Sequence, residues 1–148
     1  MNYNGHRNGG IVTSVAVASV VAFYTHNIVA TLISAVSAFI FALYPDMDIH
    51  STPRKKFLPI GLISVIVLYL FGHHLESVIL VGLLIVPMTQ RHRGIMHSIL
   101  GMVLVSFAWN YMVSGLLPTT ELNGYLYGVS AIAGYLTHLL LDTHFRLV

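Results

Sequence analysis

The segment RHRGIMHS (residues 91–98) lies between two long apolar stretches and holds two arginines, two histidines and a glycine. Similar polar clusters occur at YPDMDIHS (44–51) and GYLTHLLLDTH (134–144), and GHR (5–7) precedes the first apolar stretch. Ionisable side chains within or beside apolar segments are costly and usually mark function. The alternation of these clusters with apolar stretches therefore decides both the fold and the place of a functional site.

The composition indicates an integral membrane protein. Of the 148 residues, 56% are hydrophobic and 8% are charged, and the mean hydropathy is +0.80. An ordinary soluble domain carries roughly 25% charged residues, and a chain of this size cannot bury so much apolar surface in a soluble core. A net charge of +2, with only seven lysines and arginines, argues against a nucleic-acid partner. With no cysteine, the chain has no disulfide and no thiolate metal site.

Six apolar stretches are candidates for membrane helices, at residues 10–25, 28–44, 57–72, 75–88, 95–117 and 123–141. Crossing a hydrocarbon core of ~30 Å takes about 20 helical residues, so the second, fifth and sixth are the best spans. The first and third are short, and the fourth either spans with local bilayer thinning or stops partway. We predict an all-α integral membrane protein, a compact bundle of about six hydrophobic helices, some of them short, forming one domain over residues 1–148.

Small residues recur at every fourth position of the second stretch, at Ser34, Ala38 and Ala42. This spacing lines one helix face and lets helix backbones approach closely in lipid, so we assign these residues to packing. The first stretch also resembles a cleavable signal peptide, because Arg7 precedes an apolar run that ends in small residues. That alternative would remove GHR (5–7) from the mature chain.

The basic residues predict the orientation in the membrane. With six spans, all the lysines and arginines fall on one side; they are Arg7, Arg54, Lys55, Lys56, Arg91, Arg93 and Arg146. Cytoplasmic loops carry the excess of lysine and arginine, so this side, with both termini, is predicted to be cytoplasmic. The polar clusters fall on the same side.

The spacing within the clusters predicts their local structure. His138 and Asp142 are four residues apart, so they lie on one helix face, one turn apart. His92 and His97 are five apart, a spacing that does not stack on a continuous helix. We expect Gly94 to break the chain, with His92 in the loop and His97 in the first turn of the next helix.

A divalent metal is the natural group to compensate several ionisable residues on one face. Asp46 and Asp48 follow the second stretch in an extended or turn segment, where two carboxylates can face one cation. Imidazole and carboxylate ligands without thiolate suit zinc, manganese or iron. The isolated histidines near membrane ends are expected to contact headgroups or backbone instead; these are His26, His73, His74 and His144.

The clusters resemble the motifs of a known family, the LexA-binding, inner-membrane-associated metal-dependent hydrolases, often called YdjM-like. The family pattern is a histidine near the N-terminus, then PDxD, then HRGxTHS, then GYxxHxxxD in the last span. This chain reads GH (5–6), PDMD (45–48), HRGIMHS (92–98) and GYLTHLLLD (134–142), in that order. The family is distantly similar to zinc-dependent phospholipase C and P1-type nuclease, which cut phosphate esters, and it suggests a bacterial DNA-damage response.

The chain departs from the family pattern at two positions. Met96 stands where threonine is usual, which removes a hydroxyl from the HRGxTHS motif. Ile49 stands where some members have a histidine, which makes His50 doubtful as a ligand. We therefore keep His50 only as a residue that supports the ligands or contacts the substrate.

The resemblance implies a membrane-embedded, metal-dependent hydrolase of the bacterial inner membrane, with its motif face in the cytoplasm. Two or three divalent ions would activate water; zinc is the expected metal, with manganese or iron as alternatives. The implied ligands are His6, Asp46, Asp48, His92, His97, His138 and Asp142.

Four residues have further expected roles in this chemistry. Asp48 acts either as a ligand or as the general base. Arg93 and Arg7 are expected to clamp phosphate oxygens. Ser98, beside His97, is expected to form supporting hydrogen bonds rather than to act as a nucleophile.

The expected substrate is a lipid phosphoester, because short spans draw the site towards the headgroup layer, and membrane lipids are the expected partners. Two other classes of function stay open. One is a metal or proton transporter, since histidine and aspartate in spans also mark ion pathways. The other is a non-catalytic membrane protein with a structural metal. The sequence does not define the substrate, the number of ions or the oligomeric state.

Overall fold

The computed structural model describes residues 3–47, 51–89, 94–117 and 124–142, and these ranges contain six α-helices. The helices are α1 (Tyr3–Thr25), α2 (Ile28–Phe41), α3 (Thr52–Leu70), α4 (His74–Thr89), α5 (Ile99–Leu116) and α6 (Leu126–Leu141). Two short 3-10 turns, Tyr44–Asp46 and Ile95–His97, precede α3 and α5 in the chain. The prediction of an all-α bundle of about six hydrophobic helices is confirmed.

The lengths of the helices correct part of the sequence prediction. Among the described helices, α1 and α5 are long and apolar enough to cross a membrane, whereas α2, α4 and α6 are shorter apolar helices. The first stretch was predicted to be short, but the polar segment 5–10 continues the helix back to Tyr3. The second was predicted to be a full span, but α2 ends at Phe41 and the chain turns through Tyr44–Asp46. The sixth begins at Leu126 and is likewise shorter than predicted.

Side-chain caps start three of the helices. Asn27 accepts hydrogen bonds from the amides of Val29 and Ala30 at the start of α2, with lengths of 2.9 and 3.1 Å. Ser51 and Ser98 accept from backbone amides at the starts of α3 and α5. These polar side chains satisfy amide groups that have no partner inside the helix.

The beginnings of α1, α3 and α5 and the ends of α2, α4 and α6 lie together at one end of the bundle, which we call the site end. The ammonium group of Lys56 donates a 3.1 Å hydrogen bond to the hydroxyl of Tyr3, which joins the first turns of α3 and α1. His6 near the start of α1 contacts Asp142 at the end of α6. The basic triplet Arg54–Lys56 is therefore at the same end as the polar clusters.

Helix α2 is the centre of the packing, with α1 and α6 against its small-residue face. Ser34, Ala38 and Ala42 are fully buried, as expected for a packing stripe. A Cβ atom added at Gly134 of α6 would lie 2.0 Å from the carbonyl oxygen of Ala38, and one added at Gly10 of α1 would lie 2.9 Å from the Ala42 Cβ. The two helices therefore approach α2 so closely that only glycine fits at these contacts.

Replacing Gly134 with alanine is expected to destabilise the bundle, because the new methyl group overlaps the α2 backbone and forces α6 away. Overpacking of this kind costs about 1–3 kcal/mol, against a gain of about 1 kcal/mol in helix propensity. Gly82→Ala in α4 is the matched control, since nothing lies within 4 Å of its added Cβ. Thermal unfolding of both variants in detergent, followed by circular dichroism, measures the difference; equal melting temperatures would contradict the proposed contact.

Candidate metal centre

Three histidines and two aspartates converge at the site end. Nε2 of His6 lies 3.1 Å from Oδ1 of Asp142 and 3.9 Å from Oδ2 of Asp46. His6 lies near the start of α1, Asp46 lies in the 3-10 turn after α2, and Asp142 directly follows α6. Residues far apart in the sequence thus meet because the three helices pack side by side.

His97 and His138 complete the cluster. Nε2 of His97 lies 3.5 Å from a carboxylate oxygen of Asp46 and 3.5 Å from one of Asp142, and the corresponding distances from Nε2 of His138 are 3.6 and 3.5 Å. An ordinary N–H···O hydrogen bond is about 2.7–3.2 Å long. A tetrahedral zinc ion, about 2.0–2.1 Å from each ligand, holds its ligands about 3.4 Å apart. The distances match the edges of a coordination shell better than they match hydrogen bonds.

The orientation of His138 is set by the backbone of α2. Its Nδ1 lies 2.9 Å from the carbonyl oxygen of Ala42, and because a carbonyl can only accept, Nδ1 carries the proton. Nε2 then presents its lone pair to Asp46 and Asp142. A hydrogen bond from the second ring nitrogen to a carbonyl is the usual way in which proteins orient a metal-binding histidine.

His6 is buried at the base of α1 and stacks on His138, with ring centroids 4.0 Å apart and ring planes inclined by 18°. Among the described residues, Nδ1 of His6 and Nε2 of His138 have no hydrogen-bond partner. A buried polar atom without a partner costs about 1–3 kcal/mol. A cation held by these ring nitrogens would remove that cost.

The turn that carries His97 is held by the buried Tyr135 of α6, whose hydroxyl donates a short hydrogen bond to the carbonyl oxygen of Met96. Ser98 follows as the cap of α5: its hydroxyl donates to the Ile95 carbonyl (2.7 Å) and accepts from the Gly101 amide (3.1 Å). His97 was predicted to lie in the first turn of α5, but it lies in the 3-10 turn before the cap. The turn lets its ring face the carboxylates.

Among the described residues, the carboxylates form the more exposed side of the cluster. The side chains of Asp46 and Asp142 are 23% and 11% exposed, whereas the three histidines are at most 8% exposed. Burial by itself would raise the pKa of the Asp46 carboxyl, but its contact with His97 and the positive charge that His138, His6 and His97 carry when protonated outweigh that effect and hold its pKa below the ordinary value. The carboxylate is therefore ionised at neutral pH and accessible to water.

Five of the seven predicted ligands lie in this cluster, namely His6, Asp46, His97, His138 and Asp142. The other two, Asp48 and His92, lie outside the described residues, as do Arg93 and His50. Arg7 is exposed on α1, and its guanidinium contacts the side chain of Asn8. The hydroxyl of Ser98 contacts the backbone at the start of α5, which is a capping role beside His97.

The described donors form one group, in which Asp46, His97, His138 and Asp142 each place a ligand atom within 4.8 Å of the others. Such a group could hold one metal ion, with His6 beside it. Imidazole and carboxylate ligands fit zinc, manganese or iron equally well. The second and third ions of the sequence prediction would need donors outside the described residues.

Two supporting groups were not identified from the sequence, the carbonyl of Ala42 and the hydroxyl of Tyr135. A backbone carbonyl has no sequence signal of its own. Tyr135 does have one, since it follows Gly134 in the GYxxHxxxD motif, but the spacing does not indicate that it would reach Met96. Away from the site end, Nδ1 of His73 lies 3.7 Å from Oε2 of Glu76. The expected contact of His73 with headgroups or backbone stays a prediction.

Removing Asp142 is expected to reduce metal binding, since the carboxylate contacts all three histidines. Asp142→Ala should lower metal affinity by more than about 100-fold, because even the groups that orient metal ligands contribute about 10–100-fold. Glu76→Ala is the matched control: Glu76 is similarly buried, with 15% exposure, and also pairs with a histidine. Metal content by mass spectrometry, on protein purified without chelator, gives the comparison. Equal metal loss in both variants, or none in either, would contradict the site.

A family model described as YdjM inner membrane protein matches residues 1–146. No curated protein and no solved structure matches the chain significantly. The match covers all of the polar clusters that build the candidate metal centre, and its description indicates an inner membrane protein. The chain belongs to the YdjM inner membrane protein family.

Proposed function

We propose that this protein is a metal-dependent hydrolase that cleaves a phosphoester of a membrane lipid at the cytoplasmic face of the inner membrane. The observation that carries the proposal is the convergence of three buried imidazoles on two ionised, partly exposed carboxylates. Structural metal sites are closed by protein ligands, whereas catalytic sites keep one position open for water or substrate. The exposure on the carboxylate side favours the catalytic alternative over a structural metal.

Each residue of the cluster has a role that its contacts support. His138, oriented by the Ala42 carbonyl, and His97, held by the Tyr135–Met96 hydrogen bond, direct their Nε2 atoms at the two carboxylates. Asp46 and Asp142 supply negative charge. A divalent metal bound there lowers the pKa of water and offsets charge on a phosphoryl group. The distant similarity of the motifs to phospholipase C and P1-type nuclease, which the resemblance implies, would fit such a donor set.

Residues near the cluster would complete the reaction. Asp48, two residues after Asp46, is the proposed general base, and it would take the proton from the attacking water. Arg93 and Arg7 are the proposed partners of the phosphate oxygens. Arg7 is exposed and directly follows the buried His6, so its guanidinium is at the site end and accessible to a headgroup.

The lipid substrate is supported by where the cluster lies. It occupies the ends of the helices, together with Lys55 and Lys56, whose charge suits an anionic headgroup layer. Many large apolar side chains are exposed on the outside of the bundle, including Phe23, Leu70 and Phe71, as expected for a lipid-facing surface. A transporter would place its site near the bilayer midplane, so the end position argues against that alternative.

The proposed activity is tested with purified protein and phospholipid vesicles supplied with zinc or manganese. Wild type should release headgroup or phosphate, and a chelator should stop the release. Asp142→Ala should lower the rate by more than about 100-fold, while Glu76→Ala keeps it, because only Asp142 belongs to the cluster. A fully metal-loaded protein that cleaves no phospholipid and no soluble phosphoester would instead support a structural metal.

The proposed topology, with both termini and the motif face in the cytoplasm, rests on the basic residues at the site end. A green fluorescent protein fused to the C-terminus should therefore fluoresce in cells, and an alkaline phosphatase fused there should be inactive. The reverse pattern would contradict a cytoplasmic site.

A further inference from the structure

An apolar cavity of about 600 Å³ lies between α2, α3, α4 and α5, separate from the metal cluster but adjoining it. Helices α2 and α3 are consecutive in the chain, yet α2 packs mainly on α1 and α6, whereas α3 packs on α4. The space left between them is the cavity. Its size is within the range of small-molecule sites, about 300–1,000 Å³.

The polar side chains in the cavity wall are already hydrogen-bonded to the protein. The hydroxyl of Tyr44 donates to the Leu83 carbonyl at 2.7 Å, and the hydroxyl of Ser64 donates to the Ile60 carbonyl at 3.0 Å. The indole of Trp109 donates to a serine hydroxyl of α2 at 2.8 Å. The other lining side chains are apolar. A polar ligand would lose its hydrogen bonds to water here, so the wall selects hydrocarbon.

The cavity opens sideways, and part of its wall is formed by residues that neighbour Asp46 in the chain. Val36 of α2 and Ile63 and Val67 of α3 line it and are also 53%, 62% and 46% exposed, so it opens on the outer surface between these two helices. At its other end it is lined by Tyr44 and Met47, which belong to or follow the same 3-10 turn as Asp46. A hydrocarbon chain that enters from the bilayer would therefore reach the turn that carries Asp46.

We propose that this cavity holds an acyl chain of a membrane phospholipid and positions its headgroup phosphate at Asp46. The inference rests on the proposed function for what happens to the headgroup, but binding of the chain itself does not depend on cleavage. The length of the cavity suits this occupant: from Leu32 to Phe41 helix α2 rises through about 14 Å at 1.5 Å per residue, and both residues line the cavity.

The single tryptophan of the chain, Trp109, lies in the cavity wall, so it reports on what enters. The probe is a phospholipid with brominated acyl chains, which quench indole fluorescence on contact, titrated into the detergent-purified full-length protein. We expect saturable quenching, strongest with bromine at one position along the acyl chain. Quenching that rises linearly with lipid and shows no preferred bromine position would assign the cavity to ordinary boundary lipid and overturn the proposal.

A plugged variant gives the second measurement. Val36→Phe with Ser64→Phe adds bulk from both walls and should lower the apparent lipid affinity by about tenfold or more. Val29→Phe with Ile66→Phe is the control on the same two helices: Val29 is 51% exposed, like Val36, and neither control residue lines the cavity. Phenylalanine leaves Trp109 as the only tryptophan. Equal affinity in the plugged and control variants would overturn the proposal. A wild-type dimer that dissociates in the plugged variant would also overturn it, because a second copy of the chain would then occupy the cavity.

The two proposals fail in different ways. If Trp109 is quenched saturably but no phosphoester is cleaved, the cavity binds lipid and the proposed hydrolase function is wrong. If the plugged variant cleaves a long-chain phospholipid with the KM of wild type, the function stands and the cavity inference is wrong. If both hold, the plug raises KM for the long-chain lipid and leaves that for a soluble phosphoester unchanged.

Discussion

The close approach of α1 and α6 to the small-residue face of α2 is the constraint on which the rest of the structure depends. Gly134 lies against the backbone of Ala38, and Gly10 lies against Ala42. A single added methyl group at either contact would overlap its neighbour. In a lipid environment there is no water to drive helices together, so association relies on close backbone packing of this kind.

These contacts set the register of the metal cluster. His138 lies one turn beyond Gly134, just as Ala42 lies one turn beyond Ala38, and the His138–Ala42 hydrogen bond repeats the contact one turn along. On α1, His6 lies one turn before Gly10, on the same face. The close packing of α1 and α6 on α2 therefore brings His6 and His138 to the same level along the bundle. The backbone contact and the ligand geometry are two results of one packing arrangement.

The 3-10 turn after α2 joins the polar and apolar halves of the molecule. Asp46 faces the histidines, while Tyr44 and Met47 on the same turn line the apolar cavity. The hydroxyl of Tyr44 fixes this turn to α4 through the Leu83 carbonyl. An ionised carboxylate and a hydrocarbon-lined space that share one turn suit an amphipathic ligand. This pairing connects the proposed chemistry to a lipid substrate more directly than helix length does.

The sequence by itself predicted the class of the protein, the six helices that the structure describes and five residues of the candidate metal centre. Composition excludes a soluble core, and His138 and Asp142 share a helix face by spacing alone. The sequence did not determine where the helices begin and end, because apolar residues such as Leu43 and Tyr44 occur equally well in a helix or in a turn. Only the tertiary structure decided that His6 meets Asp142 and that Tyr135 holds the turn of His97. Those contacts join residues distant in the chain, and they depend on how closely helix backbones approach, which no local spacing encodes.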